Sequence, residues 1–235
     1  MPDYKYKRVL LKLSGEAISG DGSIINFDFL DEIARTLVSL ANDGVEIGVI
    51  IGAGNIWRGR SSGDMDRSTA DSMGMLGTII NALAAKDAVI RAGGKALVLT
   101  STFMEPYAKR YSADSAREAL TAGNIVFFAG GTGNPYFSTD TAGILRANEI
   151  NADVFLLAKN IDGIYDRDPK KDRNAVFFEE ISYSEMISRN LKGIDLAASA
   201  LGSEFGPDAF AFRLSDTADI VKAIRGESRG TKIVK

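Results

Sequence analysis

Short β-branched apolar runs and longer stretches of helical spacing take turns along this chain from one end to the other. Val9-Leu10-Leu11-Lys12-Leu13 is an apolar run broken by one lysine and closed by Ser14-Gly15, the pattern of a buried strand that ends in a tight turn. Leu30, Ile33, Leu37 and Leu40 then recur at helical intervals, with Asn26 or Asp28 placed to cap the helix and Asp43-Gly44 to end it. Further strands are expected at 46–51, 96–99, 125–129, 153–158, 209–214 and 231–234. Further helices are expected at 69–91, 113–122, 144–150, 184–189, 197–201 and 218–225. This alternation predicts an α/β fold: a three-layer, doubly wound, mainly parallel sheet with helices on both faces. No repeat, low-complexity tract or linker interrupts the 235 residues, which suits one compact domain over 1–235.

The polar segments gather where strands end. After the 125–129 run comes Gly130-Gly131-Thr132-Gly133-Asn134-Pro135-Tyr136-Phe137-Ser138-Thr139-Asp140-Thr141, a long loop leading into a helix. Its glycines permit positive φ and close backbone approach. The Thr139-Asp140-Thr141 group can cap the helix, whose free N–H groups attract phosphate; a plain glycine turn with an N-cap has the same composition. Lys12 is costly inside a strand unless it snorkels to the strand end or faces an anion there. Gly52-Ala53-Gly54-Asn55 follows the second strand and runs into Trp57-Arg58; the next glycine is Gly59, so the dinucleotide fingerprint is absent. Asp71 falls at the start of the long helix, either complementing its dipole or pointing to the same mouth as Arg58. Asp162-Gly163 is a hairpin turn signal. Beyond it, Tyr165 offers a stacking face and Asp168 an acceptor for a ribose or base.

Composition narrows the chemistry. There is no cysteine and no histidine, which excludes disulfides, thiolate nucleophiles and the usual base and metal ligand. A net charge of -3 gives no footprint for nucleic acid. The charged opening residues lack a secretory core, and no run approaches the ~20 apolar residues of a membrane span. A cytoplasmic protein with a small partner and no membrane association is the expectation. In a doubly wound sheet the ligand crevice lies beyond the carboxyl ends of the strands. Four loops of glycines, cations and hydroxyls converge there, which suits a polyphosphate. The P-loop and protein-kinase signatures are absent. An acceptor that is itself a phosphate, with second pKa near ~6, needs no general base, so the missing histidine is no obstacle to phosphoryl transfer.

Lys12-Leu13-Ser14-Gly15-Glu16-Ala17, Gly54-Asn55-Ile56-Trp57-Arg58-Gly59, Asp71-Ser72-Met73-Gly74-Met75-Leu76, the loop Gly131 through Asp140 and Asp162-Gly163-Ile164-Tyr165 together resemble the bacterial uridylate (UMP) kinases, of the amino-acid kinase fold. The resemblance runs in order from about Lys7 to Ile233. It implies transfer of the γ-phosphoryl of ATP to UMP, giving UDP and ADP, with Mg²⁺ carried by the nucleotide phosphates rather than by protein ligands. The N-terminal part would serve mainly UMP and the C-terminal part mainly ATP.

Position by position, the resemblance implies catalytic roles for Lys12, Arg58, Asp140 and Asp195, the two acids orienting Lys12 and the metal. Lys12, Leu13, Ser14, Gly15, Gly54 and Arg58 would meet the phosphates of ATP, and Lys159, Asn160, Tyr165 and Asp168 its adenosine. UMP would be held by Ala53, Asp71, Thr132, Gly133, Asn134, Pro135, Tyr136, Phe137, Ser138 and Thr139, with Asp71 on the ribose. The chain departs from the family at Ala53, where glycine is usual, and at Gly193, where a bulkier apolar residue is more common. Family members are typically homohexamers activated by GTP and inhibited by UTP; residues 20–25 match the GTP-responsive loop only loosely. An amino-acid or carbamate kinase of the same fold would need a cation for a substrate carboxylate and no uracil loop. A non-catalytic nucleotide or oxyanion storage protein would not need Lys12, Arg58 and Asp140 together.

Overall fold

In a computed structural model, residues 3–20, 22–58 and 63–235 are described. Gly59, the start of the polar loop at 60–68, and Asp21 of the 20–25 loop lie outside these residues. In chain order the elements are β1 (Arg8–Leu13), a 3-10 turn (Gly15–Ile18), α1 (Phe27–Asn42), β2 (Glu46–Ile51), α2 (Arg67–Arg91), β3 (Ala96–Thr100) and β4 (Lys109–Arg110). Then come α3 (Ala113–Thr121), β5 (Ile125–Ala129), α4 (Thr139–Glu149), β6 (Val154–Lys159), β7 (Ile164–Tyr165), β8 (Phe177–Phe178) and β9 (Glu180–Ser182). The chain closes with α5 (Tyr183–Ser188), α6 (Leu196–Glu204), β10 (Ala209–Arg213), α7 (Ala218–Arg225) and β11 (Gly230–Val234).

Among the described residues nine strands form one sheet in the order β4-β3-β5-β2-β1-β6-β10-β11-β9, and only the β10–β11 pair is antiparallel. The central strand β1 lies between β2 and β6, parallel to both. Side chains alternate across a strand, and β1 divides its residues accordingly. Val9, Leu11 and Leu13 join a core shared with α1, α2 and α7, while Leu10 joins a second core with α3, α4, α5 and α6. Helices on both faces of a mostly parallel sheet are what the strand–helix alternation predicts.

Local sequence accounts for most element ends. Asn26 caps α1, its side chain accepting from the Phe29 N–H at 3.1 Å. Gly226, at φ 74°, ends α7 in the left-handed conformation that glycine tolerates. Two boundaries correct the sequence reading. α2 starts at Arg67 behind Asp66, whose carboxylate accepts from the Thr69 N–H at 2.9 Å, so Asp71 lies beyond the first turn and is not the dipole-complementing acid. Helix α4 is capped by Ser138, which accepts from the Asp140 and Thr141 N–H groups at 2.9 and 3.3 Å, rather than by the Thr139-Asp140-Thr141 group.

Asp162-Gly163 is not a hairpin turn either. β7 pairs antiparallel with β8, so the hairpin closes over 166–176. Gly163 serves packing instead, since a Cβ there would stand 2.4 Å from Thr231 Oγ1 and 2.7 Å from Phe177 Cε2. A fourth correction concerns α2, which is apolar enough to cross a membrane by length and composition, with mean hydropathy 1.3 over an 18-residue window. Here it is a core helix, burying Ile79, Ala82, Ala85, Ala88 and Val89 together with the polar Thr78 and Asn81.

Candidate active site

The parity of β1 that buries Leu10 also turns Lys12 toward the layer containing α4, and Phe155 and Leu157 of β6 face the same layer. Lys159, two residues beyond Leu157, follows that parity. α4 comes down closely over these strands because Gly143 has no side chain; a Cβ there would meet the Phe155 ring at 2.3 Å. Asp140, in the first turn of α4, thereby reaches Lys12, with Nζ to Oδ1 at 3.1 Å and both side chains mostly buried. Desolvation holds the Lys159 ammonium below the ordinary lysine value; the Asp140 charge opposes that fall and the Lys12 charge adds to it. Lys12 thus pairs with this carboxylate, while Lys159, at the end of the adjacent parallel strand, feels the charge of both. Both lysines lie toward the carboxyl ends of β1 and β6, where the strand order reverses.

The loops that follow β1 and β2 are clasped together. Ser14 caps the 3-10 turn, accepting from the Ala17 N–H at 3.1 Å. A Cβ on Gly15 would stand 2.2 Å from Asn55 Oδ1, 2.6 Å from the Gly52 carbonyl and 2.7 Å from the Gly54 nitrogen, so only glycine fits. Fully buried Asn81 of α2 donates to the Gly52 carbonyl at 2.8 Å and exchanges hydrogen bonds with Asn55 at 2.9 and 3.0 Å. One turn earlier, Thr78 accepts from the Gly130 N–H at 2.9 Å. The same face of α2 thus anchors two of the strand-end loops. Asn81 and Thr78 escaped the sequence reading; the signal was two polar residues three apart on the buried side of a helix.

Arg58 is ion-paired with Glu16. Ala53, where the family usually has glycine, is buried without a positive φ. A Cβ on Gly77 of α2 would stand 2.9 Å from the Ala53 methyl, so the absence of a side chain at Gly77 makes room for it. Asp71 accepts from Arg67 Nε and from the Tyr136 N–H, both at 2.8 Å, and so joins α2 to the loop 132–139. Within that loop Thr132 bonds the Asn134 N–H at 3.2 Å, and Gly133 stands at φ 82° against Ser101. Tyr136 and Phe137 are exposed.

Asp195 caps α6, accepting from the Ala198 N–H at 2.9 Å, and reaches across to α4, where it accepts from Ser138 Oγ and from Thr141 Oγ1 at 3.0 Å. It ties the start of α6 to the start of α4, and Asp140 alone pairs with Lys12 among the described carboxylates. On the far side a cavity of about 380 Å³ is lined by Tyr165, Asp168 and residues 190–193. Tyr165 donates to Asp162 at 2.8 Å and meets Phe177 edge-on, while Asp168 accepts from the Lys170 N–H at 3.0 Å. Gly193 closes this wall against Ile164 and Met186, where a Cβ would fall 2.3 Å from Ile164 Cδ1 and 2.7 Å from Met186 Cε, so a bulkier residue would require those side-chain ends to move. Lys159 and Asn160 do not line the cavity; Lys159 sits with Lys12 and Asp140.

Residues 7–209 match the model of the amino acid kinase family, and the chain belongs to that family. Its structure is similar to the crystal structure of UMP kinase from Ureaplasma parvum, at 33% identity, TM-score 0.92, covering 98% of this chain and 100% of that one. It is similar likewise to UMP kinase from Bacillus anthracis, at 35% identity, TM-score 0.92, covering 97% and 96%. Uridylate kinase from Archaeoglobus fulgidus shares 28% identity over 96% and 99% of the two chains, with TM-score 0.72.

Proposed function

We propose that this chain is a UMP kinase, a single unit over 1–235 that moves the γ-phosphoryl group of ATP to UMP. The observation that carries the reading is the Lys12–Asp140 pair at the start of α4, with Lys159 at the end of the neighbouring strand. The cavity at Tyr165 and Asp168 takes the adenosine of ATP and the loop 132–139, with Asp71, takes UMP. A phosphate oxygen of UMP attacks the γ-phosphorus, the bond to the β–γ bridging oxygen breaks, and UDP and ADP leave. The nucleophile is already ionised near neutral pH, so no residue need remove a proton. Lys12 and Lys159 meet the charge that spreads over the transferring oxygens, Asp140 fixes the Lys12 ammonium, and the α4 N-terminus faces phosphate. Arg58 exchanges its Glu16 contact for a phosphate.

The donor set bears on magnesium. Among the described residues no group of three acids could hold an ion, and Asp140 is flanked by two lysines. That set fits Mg²⁺ carried on the nucleotide phosphates, where it offsets charge on the β and γ groups. A cytoplasmic location, GTP and UTP as effectors and a homohexamer complete the proposal. Support for assembly comes from Met73, Leu76 and Ile80, an apolar stripe on α2 left 37%, 49% and 51% exposed. The test is Lys12→Ala. Its kcat with UMP should fall about 10²- to 10³-fold while UMP still binds; near-native kcat contradicts the assignment of Lys12.

A further inference from the structure

Asp71 is the acid that this reading sets against the ribose of UMP, and its two oxygens are not equivalent. Oδ2 accepts both the Arg67 Nε–H and the Tyr136 backbone N–H, each at 2.8 Å. Among the described residues Oδ1 accepts no hydrogen bond. Tyr136 stands at φ 72°, a conformation that a residue with a Cβ seldom keeps unless its surroundings impose it. Three contacts from α2 impose it here. The Asp71 carboxylate holds its N–H, the Arg67 guanidinium lies 5.7 Å from its ring centroid, and Ser68 Oγ is 3.4 Å from its hydroxyl.

Arg67 thus touches both members of the pair, four residues before Asp71 on the same helix face and over the ring of Tyr136. The Asp71 side chain is only 12% exposed, so its rotation is set by these few partners. We propose that Arg67 is a positioning residue for nucleoside recognition: by occupying Oδ2 it presents Oδ1 to a ribose hydroxyl and holds the loop at Tyr136 against the same nucleotide. Arg67 itself touches no substrate. Selectivity for a ribonucleotide acceptor therefore resides in an Arg67–Asp71–Tyr136 unit, not in Asp71 alone. This rests on the UMP kinase reading above.

The experiment compares the native protein with Arg67→Ala and Arg67→Gln, using UMP, 2′-deoxy-UMP and 3′-deoxy-UMP as acceptors, with UMP binding measured by calorimetry. The native protein should penalise the analogue that lacks the hydroxyl met by Asp71. In both variants KM for UMP should rise about tenfold, the loss of one charge-assisted hydrogen bond. The penalty for that analogue should shrink by a similar factor, while kcat at saturating UMP and KM for ATP stay within about twofold. Lost packing alone would lower the melting temperature and weaken all three acceptors alike, which overturns the inference, as do identical deoxy penalties in native and variant proteins. A native protein that neither binds nor phosphorylates UMP overturns the kinase reading and this inference with it.

Discussion

Lys159 illustrates what a single residue gains from its neighbours. Its ammonium is desolvated at the end of β6, so its pKa lies below the ordinary 10.5. The unfolded chain then binds more protons than the folded one in the window between the lowered value and 10.5, and folding stability rises with pH across that window. Below the window the cost of holding the charged group is fully present. We predict that Lys159→Met raises the melting temperature of the ligand-free protein at neutral pH, and that the gain diminishes as pH approaches 10.5. Thermal denaturation of both proteins over that range decides it, and a gain independent of pH would show that the lysine is not held charged against desolvation. On the proposed kinase reading the same variant should also lose turnover, because Lys159 is assigned to the charge of the transferring phosphates. Tyr111 and Tyr183 are shifted upward chiefly by burial, but both lie in packing positions of the second core.

At the scale of elements, α2 has two faces with different work. Its buried side carries Thr78 and Asn81 to the Gly130 and Gly52 loops, so a core helix helps set the geometry of two strand-end loops. Its outer side carries Met73, Leu76 and Ile80 in one stripe. If that stripe is where copies of the chain meet, Leu76→Asp with Ile80→Asp should dissociate the assembly, because each charge would be buried unpaired. Sedimentation velocity reads the outcome, and an unchanged oligomer would remove α2 from the interface. The α4 and α6 starts show the same economy: Asp195 caps one helix and binds the cap of the other, holding the wall of the cavity to the helix that carries Asp140.

For the molecule as a whole, the layers were legible because strand and helix periods alternate cleanly, and β2, β5 and α7 begin and end where the pattern places them. Short pairings were not: β4, β7, β8 and β9 span two or three residues each, too few to show a period. Lys12, Asp140 and the loop 132–139 stood out as polar residues at strand ends. The meeting of Lys159 with Lys12 was hidden because it depends on the β1–β6 pairing, which joins residues far apart in the chain. Asp162-Gly163 misled because a turn dipeptide and a packing glycine look alike until Thr231 arrives from the last strand. The central claim, ATP-dependent phosphorylation of UMP, is tested most directly by ADP release with Mg²⁺ and ATP, offering UMP, CMP, aspartate, N-acetylglutamate and carbamate separately, with and without GTP and UTP. The account predicts turnover with UMP and product UDP; turnover with a carboxylate or carbamate acceptor instead, or nucleotide binding with no turnover on any acceptor, would contradict it.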